Sequence, residues 1–148
     1  MQSFSLGGDK TQLLTVRVLG RSHPGANDYW DGNWVNVVID IVVGGFRGSL
    51  GACLFSEDFV HLHQGLSKLH SSLSGRYEFE AMEEQLTLQI FGDGKGHFEI
   101  NGVVIDQAAN GNQLHFSFDV EQTCLPNVLA ELDEIIRQFP VKGFPATT

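Results

Sequence analysis

Basic residues are scarce in this chain of 148 residues. Nine lysines and arginines stand against eighteen aspartates and glutamates, which gives a formal net charge of −9 at pH 7. A nucleic-acid-binding surface needs clustered bases with aromatic residues among them, and the bases here are scattered. A negative field also repels anionic membranes. The composition therefore argues against nucleic acid and membranes as partners. It leaves either a basic partner or simple solubility as the meaning of the charge.

The chain also lacks the sequence features of an exported or membrane-spanning protein. Its two cysteines, Cys53 and Cys124, fit no C-x-x-C metal or redox pattern, and we expect both to be reduced and buried. No apolar run approaches the roughly 20 residues of a membrane span. The first residues show neither the basic nor the apolar part of a secretory signal. We predict one domain, residues 1–148, located in the cytoplasm.

Motifs for catalysis and metal binding are missing as well. There is no G-x-S-x-G elbow, and neither cysteine lies in a known nucleophile signature. His61 and His63 lie two residues apart on a predicted helix, whereas helical metal ligands need a spacing of three or four. The glycine-rich segment 92–96 joins two predicted strands and opens no helix, so it predicts a hairpin turn and not a phosphate-binding loop. We expect no enzymatic activity, no metal and no cofactor.

Alternation of apolar and polar residues predicts seven strands. It is clearest in residues 35–43, where every odd position is apolar, and weakest near residues 11–19. The glycine pair Gly44 and Gly45 predicts an antiparallel hairpin into the next strand. The remaining predicted strands cover residues 46–54, 77–81, 86–91, 97 to about 105, and 114–120. An eighth strand is within the range that the pattern allows.

Two amphipathic helices are predicted from apolar residues at helical spacing. The first stripe consists of Phe59, Leu62, Leu66, Leu69 and Leu73, and the second of Leu125, Leu129, Leu132, Ile136 and Phe139. The fold class is therefore α+β, a curved antiparallel meander of about seven to eight strands with two helices packed on one side. Strands followed by a helix occur twice, which leaves open two meander-plus-helix halves and a diverged duplication.

An aromatic segment, residues 27–34, precedes the third strand. It contains both tryptophans and one of the two tyrosines of the chain. One interpretation is that Trp30 and Trp34 fold back onto one end of the core. The other is a binding edge, because Tyr and Trp offer a large contact area with few rotatable bonds. The candidate partner-binding residues are Asp28, Tyr29, Trp30, Asp31, Asn33 and Trp34.

Several motifs resemble the small bacterial immunity proteins of the WapI-like family. They are Asp28–Trp34, Gly45–Gly48, the helix with Phe59, Leu66 and Leu69, Gly94–Gly96, Phe116–Phe118, Glu121–Thr123 and Phe139–Val141. Together they extend across almost the whole chain. The resemblance implies a protein that binds and neutralises the toxic C-terminal domain of a contact-dependent polymorphic toxin, often a nuclease.

The leading functional hypothesis is a stoichiometric inhibitor that covers a basic cognate toxin domain with an acidic and aromatic surface. A second hypothesis is a small-ligand-binding protein with a pocket lined by Trp30 and Trp34. A third is an enzyme of unfamiliar type, which a deep pocket with converging ionisable groups would support.

Overall fold

A computed structural model describes residues 2–145 of the chain. Its elements follow in the order β1 (Gln2–Asp9), β2 (Gln12–Arg21), α1 (Tyr29–Gly32), β3 (Trp34–Val43), β4 (Phe46–Phe55), α2 (Ser56–Ser72), β5 (Ser74–Glu80), β6 (Leu86–Asp93), β7 (His97–Ile105), β8 (Gln113–Glu121) and α3 (Leu125–Gln138). A 3₁₀ turn, Gln122–Cys124, leads into α3. In this part of the chain no helix is both long enough and apolar enough to cross a membrane.

The eight strands form two antiparallel sheets of four. Strands β1 to β4 pair in chain order in the first sheet, and β5 to β8 do the same in the second. Each sheet is followed by one long helix. The α+β class, the strand number and the two amphipathic helices are thus confirmed. Of the arrangements that the sequence left open, the structure contains the two meander-plus-helix halves.

One continuous hydrophobic core contains residues from both sheets and both long helices. On β3 the buried positions are Val35, Val37, Ile39 and Ile41, the odd-numbered residues that the alternation predicts. Side chains on successive strand residues point to opposite faces, so each sheet turns one apolar face inward. The opposite face of each sheet is the one available to partners.

Each long helix packs against the first strand of the other half. Helix α2 follows the first sheet but lies against β5, and α3 follows the second sheet but lies against β1. Helix α2 comes so close to β5 that a methyl group built on Gly65 would fall among the ring atoms of Tyr77. On the other side, Glu131 of α3 accepts a hydrogen bond from the Ser5 N–H of β1 (3.1 Å), which satisfies part of that strand edge.

The buried faces of the two helices have the same spacing. They consist of Phe59, Leu62, Leu66 and Leu69 in α2, and of Leu125, Val128, Leu132 and Ile135 in α3. The stripe of α2 is therefore confirmed for four of its five predicted residues, while Leu73 follows the end of the helix and is only partly buried. In α3 the predicted Leu129, Ile136 and Phe139 are only partly buried. The predicted and the observed residues lie on adjacent rows of α3. The packing of α3 on β1 determines which row is fully buried.

Helix α2 is joined to the second sheet by a buried carboxylate. Asp58 accepts hydrogen bonds from the N–H of Phe55 (2.7 Å), the residue before the helix, and from the N–H of Met82 (3.3 Å) in the turn after β5. Burial raises the pKa of Asp58. This side chain closes the first turn of the helix and fixes the position of the second sheet relative to it.

Candidate functional site

The aromatic segment forms a small cluster on the outside of the first sheet. Trp34 and Phe55 are cross-strand partners on β3 and β4, at positions that alternate with core residues. Their ring centroids are 4.9 Å apart, and the ring of Tyr29 lies 5.2 Å from Phe55. Trp30 lies 4.8 Å from Tyr29 in an edge-to-face arrangement. The aromatic cluster, meaning Tyr29, Trp30, Trp34 and Phe55, is therefore separate from the main core.

The six candidate residues of this segment differ in exposure. Trp30 is 52% exposed, and Asp28 and Asp31 are also exposed. Asp28 accepts a hydrogen bond from the Asp31 N–H (3.0 Å) and so caps α1. In contrast, Tyr29 and Asn33 are buried, and Trp34 is half-buried. Asp28, Trp30 and Asp31 are thus exposed to solvent. Tyr29, Asn33 and Trp34 lie on the inner side of the loop.

The C-terminal segment holds this loop in place. Asn33 donates hydrogen bonds to the carbonyls of Tyr29 (2.7 Å) and Lys142 (2.9 Å), and accepts one from the Lys142 N–H (2.8 Å). Arg21 donates to the carbonyls of Gly32 and Pro140, both at 2.6 Å. The contacts of Asn33 with Lys142 and of Arg21 with Pro140 join residues more than one hundred positions apart, so no local sequence pattern could indicate them.

The outer face of the second sheet is the second candidate surface, and we name it the acidic face. In the described strands its charged side chains are six carboxylates and one guanidinium: Glu78, Glu80, Asp93, Glu99, Asp119, Glu121 and Arg76. Strand pairing arranges this face in rows across the sheet. One row contains Glu80, Thr87, Val103 and His115, and the next contains Glu78, Gln89, Asn101 and Ser117.

These two rows line a shallow depression of about 850 Å³. Its centre, on β6 and β7, is uncharged, with three polar side chains, Thr87, Gln89 and Asn101, and the apolar Val103. The carboxylates of Glu78 and Glu80 stand on one side, on the outermost strand β5. Asp119 and Glu121 follow along β8, the outermost strand of the opposite side. The acidic face is therefore concave at this depression, which has carboxylates on its β5 side and His115 and Ser117 on its β8 side. The carboxylates of β8 lie farther along that strand, outside the depression.

Phe91 is an exposed apolar residue on the same face. Its side chain is 53% exposed. Its cross-strand partners are Arg76 on β5 and Glu99 on β7, so the ring lies between charged side chains. An exposed aromatic residue with charged neighbours is a common feature of protein interfaces, where the ring supplies most of the buried apolar area.

The outer face of the first sheet has no comparable charge. Arg17 and Asp40 form an ion pair there with an N to O distance of 2.6 Å. The hydrogen bond from Arg17 lowers the pKa of Asp40, and Ser49 contributes a further hydrogen bond. Arg47 adds a second base. The outer face of the second sheet is thus more acidic than that of the first. It holds six of the fourteen acidic residues of positions 51–148, and the others lie on α2, on α3 and between strands.

A groove of about 740 Å³ runs between α2 and β5 and is the third candidate surface. It is lined by His61, His63, Lys68 and Tyr77, among others. Tyr77 donates a hydrogen bond to the carbonyl of His61 (2.9 Å), and burial raises its pKa to about 12. His63 lies 3.1 Å from Asp133 of α3. No group of three or more His, Cys, Asp and Glu side chains in residues 2–145 is arranged to hold a metal ion.

A comparison with known protein families shows which family the chain belongs to. The family model described as the immunity protein WapI-like family matches residues 5–140. The chain belongs to this family. No curated protein matches it significantly. Among solved structures, the siderocalin Ex-FABP, described as functioning through dual ligand specificities, is 11% identical, with a TM-score of 0.27 over 99% of this chain and 87% of that one. A TM-score this low supports no conclusion about fold or function.

The WapI-like match includes both candidate surfaces. Residues 5–140 contain the aromatic segment 27–34 and all four strands of the acidic face. They end before Lys142, the residue that binds Asn33 from the C-terminal segment. Membership of an immunity family suggests a binding role and not an enzymatic one, and it directs attention to the exposed parts of these two surfaces.

Proposed function

We propose that this WapI-like protein binds and neutralises a basic toxin domain, acting as a stoichiometric inhibitor in the cytoplasm of the cell that makes it. One observation carries the proposal, namely the separation of charge between the two sheets. The acidic face carries six carboxylates and one guanidinium among the described residues, whereas the other sheet has a nearly neutral outer face. General solubility needs net charge, but it does not need an excess of carboxylates on one sheet face and none on the other.

A carboxylate-rich sheet face suits an inhibitor of a basic enzyme. Opposite charges accelerate the encounter of two proteins and orient them before contact. A nuclease toxin needs a basic groove to attract phosphate, and a carboxylate-rich protein surface competes for that groove. Inhibition by occlusion needs no reaction at the immunity protein, in keeping with the absence of catalytic motifs in its sequence.

The exposed part of the aromatic segment is the second element of the proposal. Trp30 is 52% exposed and offers a large apolar surface, and Asp28 and Asp31, which are close to it in the sequence, are also exposed. Tyr29, Asn33 and Trp34 would then act by fixing the shape of the loop, since pre-organised loops bind with a smaller entropy loss.

The test is binding to the toxin domain encoded by the gene next to this one. The two proteins would be mixed and studied by isothermal titration calorimetry at low and at physiological salt. We expect a one-to-one complex whose affinity falls as salt increases, together with loss of toxicity on co-expression. An unrelated basic protein such as cytochrome c is the specificity control. Failure to form a complex at low salt, or a complex that leaves the toxin active, would overturn the proposal.

The small-ligand hypothesis stays a prediction, and thermal melting addresses it. A metabolite that binds the folded state raises the melting temperature. A metabolite with that effect, lost on substitution of Trp30 and retained on substitution of exposed Phe46, would favour a ligand-binding role over toxin neutralisation.

A further inference from the structure

We propose that the acidic face is the docking surface for one basic helix of the toxin domain, an inference that rests on the proposed function. The helix would lie over the depression in this face, whose central side chains are uncharged. Its basic side chains would reach carboxylates on both β5 and β8, and an apolar residue would contact Phe91.

The width of the sheet is the first reason for a helix. Adjacent strands are about 4.8 Å apart, so β5 and β8, separated by two strands, lie about 14 Å apart. An α-helix with its side chains is about 10–12 Å across. A single helix therefore fits between the two outermost strands, and the concave shape of the face gives it contact along its length.

The arrangement of charge is the second reason. The side chains beneath the helix, Thr87, Gln89 and Asn101, are uncharged hydrogen-bonding groups. Glu80 stands on β5 and Asp119 on β8, and both are exposed. Within residues 2–145 neither of these carboxylates takes part in an ion pair. Lysine or arginine residues on the two flanks of a helix would meet carboxylates on both sides without breaking an existing pair.

Phe91 gives the surface an apolar contact point. It lies next to the depression, between Arg76 and Glu99. Burial of an aromatic ring at an interface contributes more to affinity than exposed charge pairs do, because the ring loses apolar contact with water. The charges would thus mainly set orientation and rate of association, and Phe91 would mainly slow dissociation.

Other occupants fit this surface less well. Nucleic acid and anionic membranes carry the same sign of charge as the face and are repelled. A second copy of this chain would bring two acidic faces together, which is unfavourable for the same reason. A basic protein element is the occupant whose charge complements the face.

The experiment compares single charge reversals that change the net charge equally. Glu80→Lys alters the β5 side, Asp119→Lys alters the β8 side, and Glu134→Lys on the exposed surface of α3 is the matched control. The probe is the toxin domain encoded by the adjacent gene, studied by calorimetry. We expect each face variant to weaken binding about tenfold and the pair to weaken it about a hundredfold. The control should stay within about threefold of the wild type.

Phe91→Ala and Phe46→Ala test the apolar contact in the same assay. Both phenylalanines are more than half exposed, but Phe46 lies in the hairpin of the first sheet. We expect Phe91→Ala alone to weaken binding at least tenfold, mainly through faster dissociation. All variants should melt within about 2 °C of the wild type, because exposed substitutions rarely change stability much.

The possible outcomes separate this inference from the proposed function. If the wild-type protein fails to bind the toxin domain, the proposed function itself is wrong. If the wild type binds but both face variants behave like Glu134→Lys, the function stands and the acidic face is not the docking surface. Loss of binding in only one of the two face variants would also overturn the two-sided arrangement. Amide resonance shifts in all four strands β5–β8 on complex formation would support it.

Discussion

Asn33 and Lys142 bind each other through two backbone-directed hydrogen bonds. The Lys142 N–H donates to Asn33 Oδ1 (2.8 Å), and Asn33 Nδ2 donates to the Lys142 carbonyl (2.9 Å). The Lys142 ammonium also donates to the carbonyl of Ala26 (2.9 Å). The C-terminal segment therefore passes over the loop that presents Trp30 and fixes its shape. A proposed binding loop and the end of the described chain are thus one structural unit.

Replacement of Asn33 by alanine should destabilise the protein by about 2–3 kcal/mol, because a fully buried amide leaves several backbone groups without partners. Urea unfolding would measure the loss. Asn36→Ala is the control, since Asn36 is exposed, and it should cost less than about 1 kcal/mol. We also expect faster proteolysis after residue 139 in Asn33→Ala. Equal stability of the two variants would contradict the role given to Asn33.

Trp30→Ala should separate binding from stability. Half of the Trp30 side chain is exposed, so the free energy of unfolding should fall by no more than about 1 kcal/mol. Affinity for the toxin domain should fall at least tenfold if the loop is part of the interface. Trp34→Ala should do the reverse and mainly lower stability, because Trp34 packs on Phe55. Calorimetry measures the affinity of both variants, and urea unfolding measures their stability. Unchanged affinity in Trp30→Ala would show that the loop is not part of the interface.

Gly65→Ala should destabilise the packing of α2 on the second sheet. The added methyl group would overlap the ring of Tyr77 and would require movement of the helix or the ring. Overpacking of this kind costs about 1–3 kcal/mol, measured by thermal or urea unfolding. Gly51→Ala is the control, since its methyl group would meet nothing within 4 Å. The double variant Gly65→Ala with Tyr77→Ala should cost less than the sum of the single changes; simple additivity would argue against the contact.

The two tyrosines of the chain should titrate together, far above their normal range. The carboxylate of Glu57 raises the pKa of Tyr29 to about 12, and burial raises that of Tyr77 to about 12, from an ordinary value of 10.0. Between pH 10 and 12 the unfolded chain loses these phenol protons while the folded protein keeps them. The folded state then binds more protons, so stability is complete below pH 10 and falls as the pH rises to 12.

Ultraviolet absorbance of phenolate measures this titration. We expect little phenolate at pH 11 in the folded protein, and a normal titration near pH 10 in urea. Tyr29→Phe and Tyr77→Phe would assign the two steps. A folded-state titration centred at pH 10 would show that neither hydroxyl is shielded as the structure indicates.

The regular parts of the fold follow from local periodicity. The odd positions of β3 are buried as the alternation predicts, and Phe59, Leu62 and Leu66 form the buried stripe of α2. Two elements were not predicted. Strand β1 has only Phe4 and Leu6 as core residues and two glycines near its end, so its strand form depends on pairing with β2. Helix α1 is a single turn of four residues, too short for any periodicity.

The sequence alone determined the α+β class, the antiparallel meanders, the two long helices, the excess of acid and the aromatic segment with its unusual composition. Tertiary structure alone decided that the strands divide between two sheets and that each helix packs on the opposite half. It also decided that Tyr29 and Asn33 are buried while Trp30 stays exposed. Periodicity reports which residues of one element share a face, a local property. Which surfaces meet depends on contacts between residues far apart in the sequence, such as Asn33 with Lys142. These contacts stabilise the protein only after folding has brought the two residues together.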